Sequence, residues 1–411
     1  PAKRTGVFLV HRFDQPDSVP TEVDSLSAHG AVYYPSVALA KQGVIMFPSG
    51  VEEYGTNHDL FLEIRHFLNT WLQLEDGPFR TLACCYILST WVFDLFDAVP
   101  YLRVQGDLGV GKSRFLRTVG ALCYRGMFTG GSVNPAPIFR IIEQYHGTLV
   151  IDEGDFGDSD VEQEILRILN VGYQRGFSVL RAERGEESNG GGFAVKAYDV
   201  FGPKIIATRK RFRDAALESR CLSYTMPLLE EVRESLPLAL GADYWTAAQR
   251  LRNKLLWWRM RNYRSIVVDP SARVSGIPEP RINQVIQPLM ACVTDSPAIR
   301  DEVIKMVGHY ARRLQEDRRA GHEGQNVICI LKTRYRNQQK RFLLKHVVEM
   351  LREDYERKDL TQSRVADIIR RVLGVELRDA QGTGFVSLTD EDARRLSARY
   401  GVTIETAQPK P

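Results

Sequence analysis

Gly106-Asp-Leu-Gly-Val-Gly-Lys-Ser113 decides the reading of this chain. It satisfies G-x-x-x-x-G-K-S at every position. Glycines there let backbone N–H groups wrap a phosphate at φ values that other residues resist. A helix starting at the end of the loop turns its positive dipole end toward the anion. Lys112 adds a point charge at the β- and γ-phosphates, and the Ser113 hydroxyl is placed to ligate Mg²⁺. Gly106, Asp107, Leu108, Gly109, Val110, Gly111, Lys112 and Ser113 are therefore the candidate ATP-binding residues. Tyr101-Leu-Arg-Val104 reads as the strand before the loop, and Ser113 to Leu122 as the helix after it.

Further along, Thr148-Leu-Val-Ile-Asp-Glu153 is an apolar strand ending in two acids. A strand buried in a parallel sheet reads as a continuous apolar run, and ligands gather at its carboxyl end. Asp152 there would hold Mg²⁺, through water, and Glu153 would polarise the attacking water as general base. A third strand, Phe201-Gly-Pro-Lys-Ile-Ile-Ala-Thr208, is expected to lie between the other two. Thr208 at its end could hydrogen-bond the water or the γ-phosphate, or merely cap the strand; Arg209 beside it is the competing charge contact. A short helix from Asp214 ends at Arg220 and runs into another strand. An arginine at that helix end can project across a subunit boundary and neutralise charge on a neighbour's γ-phosphate. Its plainer role is an ion pair with Asp214 or Glu218.

The remainder of the composition narrows the class. The chain has 411 residues, 44% hydrophobic and 26% charged, which suits a soluble protein of two or three domains. No apolar run approaches the roughly 20 residues that span a bilayer, so no membrane partner is expected. The six cysteines lack zinc spacing and read as reduced core thiols of a cytoplasmic protein. The start at Pro1 rather than Met suggests a fragment of something longer, and the net charge of +4 does not discriminate among partners.

Residues 1–55 read as a small β-rich segment, with strands at Gly6–Val10 and Gly43–Phe47. Helices are expected at about 57–74 and 79–96, the second apolar enough to pack on the next domain. From Tyr101 to about 228 the rhythm is α/β. Residues 229–330 read as helical, near 244–262, 281–293 and 297–316. Within the α/β part, two alternating strands around the Gly-rich tip Gly185–Gly192 form a hairpin. Lys332 to Lys345 carries six basic residues and no acidic ones, a pattern able to neutralise phosphates. Beyond it, helices at 341–356 and 361–373, a strand pair around Val375–Leu388 and a helix at 389–399 have the order of a winged helix, which places that domain at 331–411.

Taken together, Gly106–Ser113, Leu149–Glu153, Lys204–Thr208 and Leu217–Leu222 resemble the core of an AAA+ ATPase. The Leu-x-Ser-Arg element is similar to that of the MCM-like replicative helicases, and to those of mobile islands, satellites and phages. The resemblance implies an α/β AAA+ P-loop NTPase core at 56–228 with its preceding helices, a helical lid at 229–330, and the winged-helix domain. It implies that Arg220 is an arginine finger and that Arg281 is a second sensor, with Arg273 as the alternative. A finger needs a neighbour, so a homo-oligomeric ring, a hexamer, is implied. In that family a hairpin at this place grips DNA in the ring's pore, which makes Arg181, Arg184 and Lys196 the DNA-binding candidates. The expected function is an ATP-dependent DNA translocase or helicase taking single-stranded DNA through a central pore. An ATP-switched initiator or helicase loader, and a protein-remodelling or defence ATPase, are the alternatives.

Overall fold

The computed structural model describes residues 6–15, 18–130, 134–156, 159–184, 193–212, 214–228, 232–269, 273, 280–293, 295–355, 361–380 and 383–402. It divides into two compact units, Pro1–Val307 and Gly308–Pro411.

The first unit opens with β1 (Phe8–Val10), β2 (Thr21–Val23), β3 (Leu26–Ala28) and β4 (Ala31–Tyr33), two separate antiparallel pairs, then α1 (Ala38–Lys41). The strand expected at Gly43–Phe47 is reduced to one bridge, Ile45 to Met127. Gly43 at φ 72° and Pro48 just beyond it interrupt the extended run on both sides. Helices α2 (Asn57–Trp71) and α3 (Gly77–Thr90) follow. A capping box between Thr56 and Asp59 starts α2, and Asp76 caps α3 by accepting from Phe79 N at 2.8 Å. Nearly all of α3 is buried, against α2, the helix after the phosphate loop and a later helix.

The central elements are β5 (Tyr101–Gln105), α4 (Lys112–Gly120), β6 (Met127–Gly130), α5 (Pro135–Tyr145), β7 (Leu149–Asp152), α6 (Asp160–Val171), β8 (Ser178–Arg184), β9 (Phe193–Asp199), β10 (Lys204–Thr208), α7 (Ala215–Glu218) and β11 (Cys221–Thr225). Five of these strands form one parallel sheet in the order β11-β5-β10-β7-β6. All five residues of β10 are buried, as its apolar Ile205-Ile-Ala207 run requires of a strand covered on both faces. β10 lies between β5 and β7, where the sequence places it. Then come α8 (Ala242–Asn262), α9 (Pro280–Ala291) and α10 (Pro297–Ala320), which crosses into the second unit.

The second unit continues with α11 (His322–Asn337), β12 (Arg341–Leu343), α12 (Leu344–Asp354), α13 (Gln362–Asp367), β13 (Glu376–Ala380), β14 (Thr383–Ser387) and α14 (Asp390–Tyr400). Its three-stranded sheet has the order β12-β14-β13 around a core containing Val327, Phe342, Leu351, Ile369 and Val386. The basic stretch therefore spans a helix end and an edge strand. Gln338 at φ 50° closes α11, and pairing with β14 makes Arg341–Leu343 extended, so the next helix starts at Leu344 rather than 341.

Candidate functional site

Three strand ends meet at the carboxyl edge of the parallel sheet. After β5 the chain turns through Gly106 (φ 150°), Gly109 (φ 82°) and Gly111 (φ 91°), and α4 begins at Lys112. Gly106 is required: a Cβ there would stand 2.9 Å from Met226 O and 3.1 Å from Val110 Cγ2. Val110 is buried, anchoring the loop, whereas Asp107, Leu108 and Gly109 are exposed around its rim. Lys112 Nζ donates to Gly106 O and Asp107 O, both at 2.6 Å, so its charge sits inside the turn of the loop. Ser113 is exposed at the first turn of α4. This cradle fits a polyphosphate: the glycines keep side chains out of it, and a helix N-terminus and an ammonium face its interior.

β7 ends at Asp152, paired with Gly130, and Glu153 follows with φ 55°. A left-handed glutamate is strained, and such strain persists where the surroundings enforce it. Two contacts enforce it here: Asp152 Oδ1 accepts from Glu153 N at 3.0 Å, and Gly154 N donates to Ala207 O at 2.7 Å. A Cβ at Gly154 would come 2.6 Å from Ile206 Cγ2, so the turn hugs β10. Its outcome is an exposed Glu153 beside a half-buried Asp152.

Thr208 is buried at the end of β10, and its Oγ1 has no hydrogen-bond partner among the described residues. Its carbonyl accepts from Gly106 N at 3.2 Å, which ties it to the phosphate loop. A buried hydroxyl without a partner costs about 1–3 kcal/mol, so Thr208 is poised to bond something brought to the site. Arg209 points elsewhere, into an ion pair with Asp155 at 3.8 Å. Asp155 escapes sequence reading as one more acid after Glu153, yet its Oδ1 accepts from Arg209 N at 2.6 Å and fastens the end of β10 to the turn after β7. Arg114 also escapes it; its guanidinium bonds Trp71 O at 2.7 Å and Pro237 O at 2.5 Å, holding two distant segments to α4.

Arg220 lies at the other end of the sheet, before β11. It is 9% exposed, stacks 4.2 Å from the centre of the Tyr173 ring and bonds Asn170 through Nη1. Its Nε has no partner among the described residues. Of the two partners expected of a plain surface residue, Glu218 instead grips Arg103 at 2.5 and 2.6 Å, whereas Asp214 accepts from the same Asn170 side chain and is held ionised in part by the Arg220 charge.

The hairpin is present as β8 and β9, whose register pairs Arg181 with Lys196 on one face. That face meets α5 and α6. Arg181 bonds Glu164 and lies 5.0 Å over the Phe139 ring, while Lys196 lies 4.7 Å over Tyr198. The opposite face presents Leu180 and Val195, 62% and 74% exposed. The tip Gly185–Gly192 and the side chains of Arg184 and Arg281 lie outside the described residues, although the backbone of Arg281 is in α9. In the basic stretch Lys332 pairs with Asp354 at 2.6 Å, and Arg334 and Lys340 both pair with Asp390.

All six cysteines are free and buried. Among the described residues no group of three or more His, Cys, Asp or Glu is arranged to hold a metal, and no helix is long and apolar enough to cross a membrane. A divalent ion would instead rest on the Ser113 hydroxyl, Asp152 and the phosphates themselves, the oxygen donors such an ion prefers.

No family model and no curated protein sequence matches the chain. Among solved structures it is similar to the A form apo structure of the NrS-1 C-terminal region, at 10% identity and TM-score 0.41, over 89% of this chain and 83% of that one. It is also similar to Cdc6p from Pyrobaculum aerophilum, at 11% identity and TM-score 0.24, over 82% of this chain and 96% of that one. Drosophila ORC bound to DNA aligns at 11% identity and TM-score 0.19, over 82% of this chain and 91% of that one. Overlap at this level assigns neither a family nor an activity.

Proposed function

We propose that this chain is an AAA+ ATPase that assembles into a hexameric ring and uses ATP to translocate on single-stranded DNA, as a replicative helicase of a mobile element or phage does. The observation that carries the reading is the convergence of the Gly106–Ser113 loop, the Asp152–Glu153 turn and Thr208 on one sheet edge, in the order β11-β5-β10-β7-β6. Gly106–Ser113 binds the triphosphate. Ser113 and Asp152 would hold Mg²⁺, which supplies charge neutralisation of the phosphates when bound. Glu153 takes the proton of the attacking water, and Thr208 bonds the water or γ-phosphate. Arg220 stands a strand length away from its own loop and so serves a neighbouring copy. Arg281, with Arg273 as the alternative, is the second sensor. Arg181, Arg184 and Lys196 on the hairpin contact the DNA backbone. Residues 331–411 form a winged helix that offers Arg364 and Arg370 to phosphates, with Arg371 beside them paired to Asp367 at 3.5 Å.

Steady-state hydrolysis with and without single-stranded DNA, beside a Glu153→Gln variant, tests this. Strong stimulation that the variant abolishes supports a translocating motor. Hydrolysis indifferent to DNA sinks the translocase and leaves the ATPase standing.

A second reading has its own support. Arg181 is engaged with Glu164 and Phe139, and three of the basic residues of the 332–345 stretch are paired with acids. Those contacts favour an ATP-switched initiator or loader, or a protein remodeller, over a strand-gripping motor. A strand-displacement assay separates the first from the rest.

A further inference from the structure

Opposite the phosphate loop, at the amino-terminal ends of β6, β7 and β10, a cleft of about 370 Å³ opens. That is the size of a pocket for one small ligand. Its floor is aromatic: the rings of Phe93 and Phe201 have centroids 5.8 Å apart, and the Arg175 guanidinium stands 5.2 Å over Phe201. Asp94, Tyr124, Arg125, His146 and Asp199 complete the lining, with the Asp94 carboxylate paired to Arg259 at 2.7 Å.

The two arginines are fixed from behind. Arg175 donates to Asp94 O at 2.5 Å and Arg125 to Tyr145 O at 2.7 Å, which orients each fork while leaving further N–H groups for a ligand. Asp199 accepts from Phe201 N at 2.9 Å through one oxygen, leaving the other as an acceptor at the cleft. Arg125 and His146 both sit in the left-handed region, at φ 47° and 42°. His146 ends α5 in a position where glycine is the unstrained choice. Gly147 packs against Arg125 so closely that a Cβ would lie 2.4 Å from the Arg125 carbonyl oxygen. Two turns are thus pressed together so that their strained residues share one cleft, the kind of place where ligand clamps concentrate.

We propose that this cleft binds a nucleoside monophosphate unit, one base carrying one phosphate. The base lies against Phe201 and Phe93, as bases do on aromatic platforms. Asp199 accepts from its N–H edge, which selects guanine, with adjacent ring and exocyclic donors, over adenine. Arg125 and Arg175, with His146, take the phosphate through charge-assisted bonds. A free nucleotide and the 5′-phosphorylated end of a strand both carry this chemistry. The site is separate from the phosphate loop and stands whether or not the chain hydrolyses ATP.

The test uses the full chain carrying Lys112→Ala, which removes the loop's ammonium. Calorimetry with guanosine 5′-monophosphate should give one site per chain, with weaker binding of adenosine 5′-monophosphate. Arg175→Ala and Asp199→Asn should each weaken it by roughly tenfold or more while leaving the melting temperature in place. His146→Gly should weaken binding yet raise the melting temperature, a pairing that a purely structural histidine does not give. Titration with a guanine-ended oligonucleotide, 5′-phosphorylated or not, assigns the source: competition with the mononucleotide by the phosphorylated strand alone means that strand ends are taken too. Absence of saturable mononucleotide binding, or binding that Arg175→Ala and Asp199→Asn leave unchanged, overturns the proposal.

Discussion

The Arg220 guanidinium rests 4.2 Å above the Tyr173 ring at the amino end of β11. β11 and β5 pair in register from Cys221 with Tyr101 to Thr225 with Gln105. At about 3.3 Å per residue, those five paired positions put some 20 Å of strand between Arg220 and the Gly106 end of its own loop. A side chain of that kind, buried with one N–H unmet, acts on another molecule or only on its own fold.

Mixing separates the two roles. Arg220→Ala, with its own loop intact, should lose at least about a hundredfold in hydrolysis. Lys112→Ala, with its arginine intact, should be equally inactive alone. Combined, they should recover part of the activity, because one chain's arginine completes the other's site. ATPase assays of the mixture across ratios read this out; a mixture no more active than its parts rejects action between copies.

Glu153 sits at φ 55°. Glu153→Gly should therefore raise stability by about 1 kcal/mol, since glycine occupies that region freely, and abolish hydrolysis while ATP still binds. Thermal melts and nucleotide titration of the same preparation check both halves.

Thr208→Val keeps shape and removes a hydroxyl that is buried without a partner among the described residues. Stability should hold or rise slightly, whereas hydrolysis should fall by roughly tenfold or more. An unchanged rate would make Thr208 a strand end and nothing else.

Lys204 is wholly buried at the start of β10, with Nζ donating to Val200 O, Gly202 O and Gly172 O at 3.0, 2.9 and 3.1 Å. Burial lowers its pKa to about 7, with Asp199 pulling the other way. Between that value and about 10.4 the unfolded chain holds a proton that the folded chain has shed. The lysine's contribution to stability therefore increases as pH rises through this window. Melting temperatures of wild type and Lys204→Met from pH 6 to 10 should diverge in favour of wild type at the alkaline end, an effect of at most about 4 kcal/mol. Parallel curves would show that the folded lysine keeps its proton.

Contiguous chemistry was the legible part of the sequence. The phosphate loop needs its glycines, lysine and serine in one run, so Gly106–Ser113 announces itself, and an apolar strand ending in Asp152–Glu153 does so nearly as well. β5, β7 and β10 each read as buried runs, and the order usual in such sheets placed β10 between the other two. Alternation in β8 and β9 tells which residues share a face, but not that α5 and α6 would cover the face bearing Arg181. Lys204 looks like any strand lysine, because the carbonyls that surround it come from a helix end and a turn. Arg125, His146 and Phe201 are scattered at the starts of three strands, and only closure of the sheet gathers them. Asp155 and Arg114 likewise act on backbone groups, which carry no sequence signal.

Three of the stitches across the sheet edge use main-chain amides: Gly106 to Thr208, Gly154 to Ala207, and Arg209 to Asp155. The backbone groups at Thr208 and Ala207 that accept two of these bonds do not depend on their side chains, and together the three bonds tie the loop, the acid turn and the end of β10 to one another. The chain steps off that edge at Met226, whose amide is still fastened to Gln105 O at 2.8 Å. Beyond that fastening, at Pro227, the chain has no main-chain N–H with which to continue the ladder.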